Sequence, residues 1–531
     1  MGTERGHKTA EWRRTDRRDF LRRAAQAGVG LAAMSLPAVV TAQPKPSGRL
    51  VFALGSVGPN LDPGTARVAP VTIIYAALYD TCTRLNTHTG AVEPWLAESW
   101  RTVDSKTVEF RLRRGILFHN GRELHAEDVK FTVDRLLDPA RNKGLTVTGT
   151  IVTLDRVEVV DPHTFRVVAK ENNPIIPLLM SRVFIIPAVE FRAAGDPAQF
   201  FSKPIGTGAF RFRGFQRDSH VELVAAGNSW RKPRLAEIRF QALKEDSTRI
   251  AALESGQVDV IDSVPPDQLK RLQAAGLKVE WTTVAANYAF DLYGPAGTPH
   301  ANLEVRRAIA HAIDWNTIIK ELYMGYGKVG NGLIGGPGAF GWANDPVKYS
   351  YDPARARQLL AAAGYPNGFK TRFTGSRGFM VNDVTTAEAI GGYLKAVNIE
   401  VALNFAEFSS FLQQYQQSPA KGRSPLFAHR QSYEVTMEVG TRLVLFDDPK
   451  SSHPYGWNEP KFLSLLASAQ KEMDLKKREQ TLIEANRMVV DNAISIAAFQ
   501  PPYILVHNPK VGNVKTPPDA LVWLDDIVKS A

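Results

Sequence analysis

The chain has 531 residues, 44% of them hydrophobic and 22% charged, the composition of an ordinary globular protein with ample core; at this length more than one structural domain is expected. Its single cysteine, Cys82, excludes an internal disulfide and a thiolate metal cluster, and reads as a small buried apolar residue among Leu78, Tyr79 and Leu85. The formal charge of +11 falls to +7 once residues 1–42 are set aside (eight basic and four acidic side chains), and it is spread without long runs. That excludes a nucleic-acid patch and leaves a mild attraction for anionic solutes.

Residues 1–42 read as an export signal. Arg17-Arg18-Asp19-Phe20-Leu21-Arg22 has the twin-arginine pattern, Ala24 to Val40 is small, modestly apolar and too short to span a membrane, and Val40-Thr41-Ala42 offers a cleavage point before Gln43. Gly28, Gly30 and Ala33 formally match a dinucleotide fingerprint but lie inside this signal, so the match is discarded. No cysteine follows the apolar segment, which closes the lipid-anchor route and predicts a protein free in a periplasm-like space.

After a Pro-rich tether (Gln43 to Gly48), Leu50 to Leu54 is a short strand, Gly55 to Pro63 a loop containing Ser56, and Val71 to Leu78 a helix. Val108, Phe110 and Leu112 alternate with charged residues as in a half-buried strand. Ile116 to Phe118 forms a second short strand before the Asn120-Gly121 turn, and a helix runs from Ala126 until Pro139 ends it. Ile151 to Lys170 is a hairpin turning at Asp161-Pro162. The glycines of Lys203 to Phe212 lack the Gly-Lys-Ser/Thr of a phosphate cradle and precede a strand, so they read as backbone turning at a domain crossover. Further on come a helix over Ser247–Leu253, a strand over Val258–Ile261 and one long helix over Val305–Ile319. A helix capped by Asp352-Pro353, a strand over Phe369–Phe373, a helix around Ala387–Leu394, a helix from Asp474, a strand over Ile494–Phe499 and a tail from Pro501 complete the order. Alternating β and α elements imply α/β lobes.

Phe110-x-Leu-Arg-x-Gly115, Phe118-His119-x-Gly121 and Ala126-x-Asp128-Val129 resemble the signature of the extracytoplasmic solute-binding proteins of the peptide/nickel class (family 5), which feed ABC importers. Glu93 to Trp100, Lys203 to Phe212 with Asn228 to Pro233, and Arg306 to Asp314 resemble further phrases of that family in the same order. The resemblance implies a two-lobed periplasmic-binding-protein fold of the large type II class, hinged between the lobes. Lobe I would comprise residues 43–85, 205–284 and 500–531, an inserted subdomain 86–204, and lobe II 285–499. It implies a monomeric transport protein with no cofactor. Such a protein captures a small polar solute by closing and delivers it to ABC permease membrane subunits. A binder of a metal chelate such as nickel, and a periplasmic sensor or chaperone partner without transport, are the alternatives.

The leading ligand-binding candidate is Arg377, with Ser376 and Asn382 beside it on a glycine-flanked loop after a strand. In peptide-binding relatives an arginine at the matching place takes the ligand carboxylate, work that suits a bidentate guanidinium. Those relatives also carry glycine-tryptophan and then an aspartate for the ligand's α-amino group. The corresponding stretch here, Leu426 to Glu434, has neither in register. Glu434 offers the negative charge from a shifted position, Tyr433 can stack or hydrogen-bond, and Arg430 points toward an anionic or polyhydroxyl ligand. Ser56 at the cleft mouth and Trp457, in an aromatic-amide loop with Tyr455 and Asn458, complete the set. Trp95 and Trp100 read as packing, and His119 as a hydrogen-bonded structural histidine. No catalytic motif occurs after the signal, and the eleven histidines show no tight ligand spacing, His119 and His125 merely flanking a turn.

Overall fold

The computed structural model describes residues 45–530, apart from 59, 66–68, 143–144, 146, 148–150, 378–380, 408–409, 412–413, 415–424, 433–437 and 447–456. The first sheet has seven strands in the order Lys278–Thr283, Pro502–His507, Val260–Asp262, Arg49–Leu54, Glu237–Ala242, His220–Ala225, Phe210–Gln216. Arg49–Leu54 shows why this sheet is covered on both faces. Leu50, Phe52 and Leu54 join a core with Ile73, Ile74 and Leu78 of the helix Ala69–Leu78, whereas Ala53 points to the other side, into a core with Ile250 and Leu253 of the helix Asp246–Glu254.

A second, six-stranded sheet runs Lys328–Gly332, Ser495–Gln500, Ala286–Asp291, Leu426–Ser432, Phe369–Arg377, Ile399–Glu407. Among the described residues two passages of chain carry one sheet into the other. Lys278–Thr283 continues into Ala286–Asp291 across Val284 and Ala285, and Ser495–Gln500 continues into Pro502–His507 across Pro501. The passages lie side by side, the Val284 N–H donating to the Pro501 carbonyl at 3.1 Å. A third, four-stranded sheet (Ala97–Thr102, Thr107–Leu112, Thr164–Ala169, Leu154–Asp161) packs on the helix Ala126–Leu137 around Phe110, Phe165, Val129 and Val133. Cys82 is buried in that core. Among the described residues no helix is long and apolar enough to cross a membrane.

Three local expectations change. The run Val305–Ile319 is two helices, Leu303–His311 and Trp315–Leu322, because the Asp314 carboxylate accepts the Thr317 N–H at 3.1 Å and starts a new one. Ile116 to Phe118 is not a strand: only Leu117 makes a bridge, to Glu123. The tail from Pro501 opens with a full strand in the first sheet, where Pro502 begins the pairing. At Gly206 and Gly208, beside and within a bend at 207–209, close approach adds a second demand, since a Cβ on Gly206 would stand 2.0 Å from the Leu78 carbonyl oxygen and one on Gly208 2.3 Å from that of Ala77.

Those carbonyls end the helix Ala69–Leu78, and just beyond them sits Asp80, 1% exposed. Its carboxylate accepts four hydrogen bonds, from Trp95 Nε1 (2.9 Å), Thr207 Oγ1 (2.9 Å), Trp230 Nε1 (3.0 Å) and Arg231 Nη1 (3.0 Å). Arg231 also reaches Asp525 at 2.6 and 2.8 Å. A buried carboxylate is tolerated only with such a full set of donors, and removing its charge strands Arg231 in turn. Asp80→Ala is therefore expected to lower unfolding free energy by about 3–5 kcal/mol, measured by urea denaturation.

Two histidines give the fold a defined acid limit. His300, 1% exposed, bonds Thr371 Oγ1 at 2.8 Å, and burial pushes its pKa down to about 4. His119 spans Gly208 O (3.1 Å) and Gly206 N–H (3.2 Å), and burial lowers its pKa to about 4 as well. These rings are held neutral in the fold but charge near pH 6.5 when unfolded, so the unfolded chain binds the extra protons. Their stabilisation is whole above about pH 6.5 and is lost as pH falls toward about 4. Urea midpoints taken from pH 7 to pH 4 should fall across that window, and His300→Gln should flatten the decline.

Candidate functional site

In an open α/β sheet the carboxyl ends of parallel strands leave a crevice where ligands settle. Both main sheets have such an end. In the first, Arg49–Leu54 lies between two parallel neighbours, Glu237–Ala242 and Val260–Asp262. It leads into Gly55 and Ser56, where Ser56 is exposed and its Oγ accepts the Gly58 N–H at 3.1 Å. Next to it, at the end of Val260–Asp262, Asp262 is fully buried. Burial raises its pKa, opposed by Arg249 at 3.8 Å and by a 3.1 Å hydrogen bond from Ser263 Oγ.

The loop that follows Ser56 is anchored to the third sheet's helix. Arg135 pairs with buried Asp62, whose Oδ1 also accepts the Gly64 N–H at 2.9 Å, and the Tyr75 and Tyr79 hydroxyls hold the Asn60 and Leu61 carbonyls. The Leu61-Asp62-Pro63 loop is thus rigidly set by a buried ion pair.

In the second sheet, Phe369–Arg377 runs parallel to both neighbours, Ile399–Glu407 and Leu426–Ser432. The strand expected to stop at Phe373 continues through Arg377, so Arg377 stands on the last strand residue rather than on a free loop. The reason is that Thr374 to Arg377 keep pairing with Asn404 to Glu407. Arg377 is exposed, with its guanidinium carbon 5.6 Å from the centre of the Phe405 ring. A strand end holds its cation more firmly than a loop would.

Ser376 and Asn382 flank that cation, and the fold gives each a structural contact. Ser376 is 1% exposed and its Oγ donates to Asp383 Oδ2 at 3.0 Å. Asn382 takes a left-handed conformation (φ 57°) before the helix Asp383–Lys395, and its Nδ2 donates to the Leu322 carbonyl at 2.6 Å. Close by, the Tyr323 hydroxyl donates to the Val381 carbonyl at 2.9 Å. Arg430 lies on Leu426–Ser432, its backbone opposite Tyr288. Tyr433, Glu434 and Tyr455 lie outside the described residues. Trp457 is half-buried, its ring 5.1 Å from that of Phe462 and packed in the core around Val439 and Leu466.

Sequence reasoning missed several residues here. Nothing in the local pattern marks Asp80 or Asp262, because their partners come from distant segments. Nor does spacing reveal that Glu123 and His125 meet His163, which lies on the turn of a hairpin some forty residues on (His163 Nε2 to Glu123 Oε1, 3.1 Å). Trp95, read as packing, also hydrogen-bonds Asp80, and its ring centre stands 5.0 Å from the Arg84 guanidinium carbon.

Asn382 separates backbone strain from a lost contact. Asn382→Ala should cost about 1–2 kcal/mol, because alanine disfavours positive φ and drops the bond to Leu322. Asn382→Gly, which loses only the bond, should cost less. Chemical denaturation of both variants checks the order.

Comparison with known proteins matches residues 91–441 to the family described as bacterial extracellular solute-binding proteins, family 5 Middle. The chain is 31% identical to heme-binding protein A of Haemophilus influenzae over 305 residues, 53% of this chain and 55% of that protein. It is 29% identical to the dipeptide-binding protein of Escherichia coli over 315 residues, 55% of this chain and 58% of that protein. The chain thus spans little more than half the length of these two relatives. A solved structure of NikA from Brucella suis in complex with Fe(III)-EDTA superposes with a TM-score of 0.79 at 22% identity, covering 91% of this chain and all of that one.

Proposed function

The chain belongs to the bacterial extracellular solute-binding proteins of family 5, and from that premise we propose that it is the periplasmic solute-binding component of an ABC importer. In this reading a twin-arginine signal over residues 1–42 exports the chain, and residues 43–531 fold into two lobes and an inserted subdomain divided as the sequence suggests. The observation that carries the proposal is the pair of side-by-side strand passages, Val284-Ala285 and Pro501, which among the described residues link two sheets with loop-bearing carboxyl ends. Such a joint bends with few backbone changes, so two halves can close on a solute and expel its water.

The solute is small, polar and carboxylate-bearing. Arg377 supports this, since an exposed guanidinium at a strand end presents parallel N–H donors to a carboxylate. Ser56 on the other sheet, with Tyr433, Glu434 and Arg430 on the stretch from Leu426, would supply the remaining polar contacts, and Ser376 and Asn382 would flank the arginine at its strand end. Trp457 forms an edge of the site from its packed position. The closed form is what the permease recognises. A polycarboxylate metal chelate is the second reading, favoured by the Fe(III)-EDTA complex in the similar fold. Its carboxylates would meet the same guanidinium.

A thermal-shift screen of dipeptides, tripeptides, sugars and nickel chelates discriminates between these readings. Carboxylate-bearing peptides should raise the melting temperature by a few degrees at saturating concentration. A shift with chelates alone would select the second reading, and no shift with any solute would favour a sensor or chaperone partner. Arg377→Ala should weaken binding of the active solute roughly 100-fold, about 3 kcal/mol, with an unchanged melting temperature in its absence. Unaltered affinity would refute the role of Arg377.

A further inference from the structure

Away from both strand ends, two separate pieces of chain deliver Glu123 with His125 and, some forty residues on, His163 to one spot. Glu123 closes the short bridge to Leu117, His125 stands at the start of the helix Ala126–Leu137, and His163 occupies the turn between Leu154–Asp161 and Thr164–Ala169. Each position is held by the backbone. The His163 N–H donates to Asp161 Oδ1 at 2.7 Å, the His125 N–H to Asp128 Oδ2 at 3.0 Å, and the Ala126 N–H to the Pro162 carbonyl at 2.8 Å, which ties the helix start to the hairpin turn. The three side chains therefore meet on a rigid base.

Their donor atoms lie within 4.8 Å of one another. His163 Nε2 is 3.1 Å from Glu123 Oε1, and His125 Nε2 is 3.9 Å from Glu123 Oε2. Two ligands held about 2.0–2.1 Å from a tetrahedral ion stand about 3.3 Å apart, so the observed pairs bracket that separation and need only a small side-chain adjustment. At 3.9 Å His125 Nε2 is beyond hydrogen-bond reach of that oxygen and forms an ion pair with it only when the ring is protonated. Glu123 Oε1 also accepts the Gly115 N–H at 2.7 Å, the kind of outer contact that orients a ligating carboxylate. The His163 side chain is 12% exposed, those of Glu123 and His125 35% and 41%, so the cluster is buried on one side and open to solvent on the other.

We propose that Glu123, His125 and His163 form a binding site for one divalent transition-metal ion, with Zn2+ as its reference occupant. Two imidazoles and one carboxylate are the donor set that Zn2+ accepts with a fourth position left to water, and Ni2+ and Cu2+ accept the same ligands. The open side of the cluster supplies that fourth position. Bound there, the ion would clasp the hairpin turn, the helix start and the Glu123 bridge together. This site is distinct from the proposed solute site.

The test titrates Zn2+ alone into the EDTA-treated, buffer-exchanged full chain by calorimetry. The expected result is one equivalent per chain, with X-ray absorption at the zinc edge showing two imidazole nitrogens and carboxylate oxygen. His125→Ala should weaken this binding at least tenfold, as should Glu123→Gln and His163→Ala. His125 is the most exposed of the three, so its variant should keep the unliganded melting profile of the parent even if His163→Ala destabilises the hairpin. A parent chain with no saturable one-site isotherm overturns the proposal. So does a His125→Ala variant of unchanged melting profile that binds Zn2+ with unchanged affinity and stoichiometry.

Discussion

One buried carboxylate ties the first half of the molecule together. Asp80 accepts from Trp95, Thr207, Trp230 and Arg231, four donors contributed by three separate places in the chain. Through Arg231 the same network reaches Asp525 near the end of the chain. A carboxylate taken out of water costs several kcal/mol unless its lone pairs are filled, so all four donors must dock together. The preceding helix end has the same requirement. Its last carbonyls need donors, and the Ala76 carbonyl finds Arg231 at 2.8 Å while that of Leu78 finds the Gly208 N–H at 3.0 Å. Gly206 and Gly208 carry no side chain because that junction has no room for one.

The consequence is mechanical. The first and third sheets are joined by this polar knot and by the Asp62–Arg135 pair, both buried. Among the described residues the second sheet is joined to them covalently at two short passages. Apolar packing also crosses the junction, where Leu85 and Leu178 meet Ala285, Val439 and Phe446, and Gly90 approaches Gly338 so closely that a Cβ would stand 2.8 Å from its carbonyl oxygen. Apolar contact lacks the directional demand of the Asp80 network and slides more easily. In the proposed cycle the half containing Asp80 therefore moves as a rigid piece, and the strand passages absorb the motion.

Much of this frame was legible in the sequence. The helix over Ala126–Leu137, the hairpin turning at Asp161-Pro162 and the Asp352 cap follow from local chemistry alone, because the deciding groups are neighbours in the chain. What was not legible depends on partners far away. The break at Asp314 is set by one side chain accepting one N–H within a run that otherwise has helical spacing. The extension of Phe369–Arg377 to its last residue is dictated by Ile399–Glu407 lying alongside, and the strand after Pro501 by a slot between Lys278–Thr283 and Val260–Asp262. Of the candidate site, the residue types were legible and their duties were not. Ser376 and Asn382 read as ligand donors in the sequence, and the fold adds contacts to Asp383 and Leu322 that local pattern does not reveal.

That contrast explains why the most recognisable phrases of this chain identify a family without naming its ligand. Asp128 accepts from Arg122 at 2.7 and 3.0 Å, from the His125 N–H and from the Ala188 N–H, and Arg122 in turn binds Glu190. His119 is held between Gly206 and Gly208. Each of these residues satisfies several buried groups at once, so altering one leaves its partners unpaired in a dry interior at a cost of about 1–3 kcal/mol per group. Replacing one such residue therefore calls for compensating changes in its partners. Arg377 is exposed at a strand end, its guanidinium near the Phe405 ring and, among the described residues, outside these buried polar networks. A frame of coupled buried polar groups and a rim of singly replaceable ones is what lets one architecture serve many solutes. The ligand is therefore written in the residues that the frame does not need.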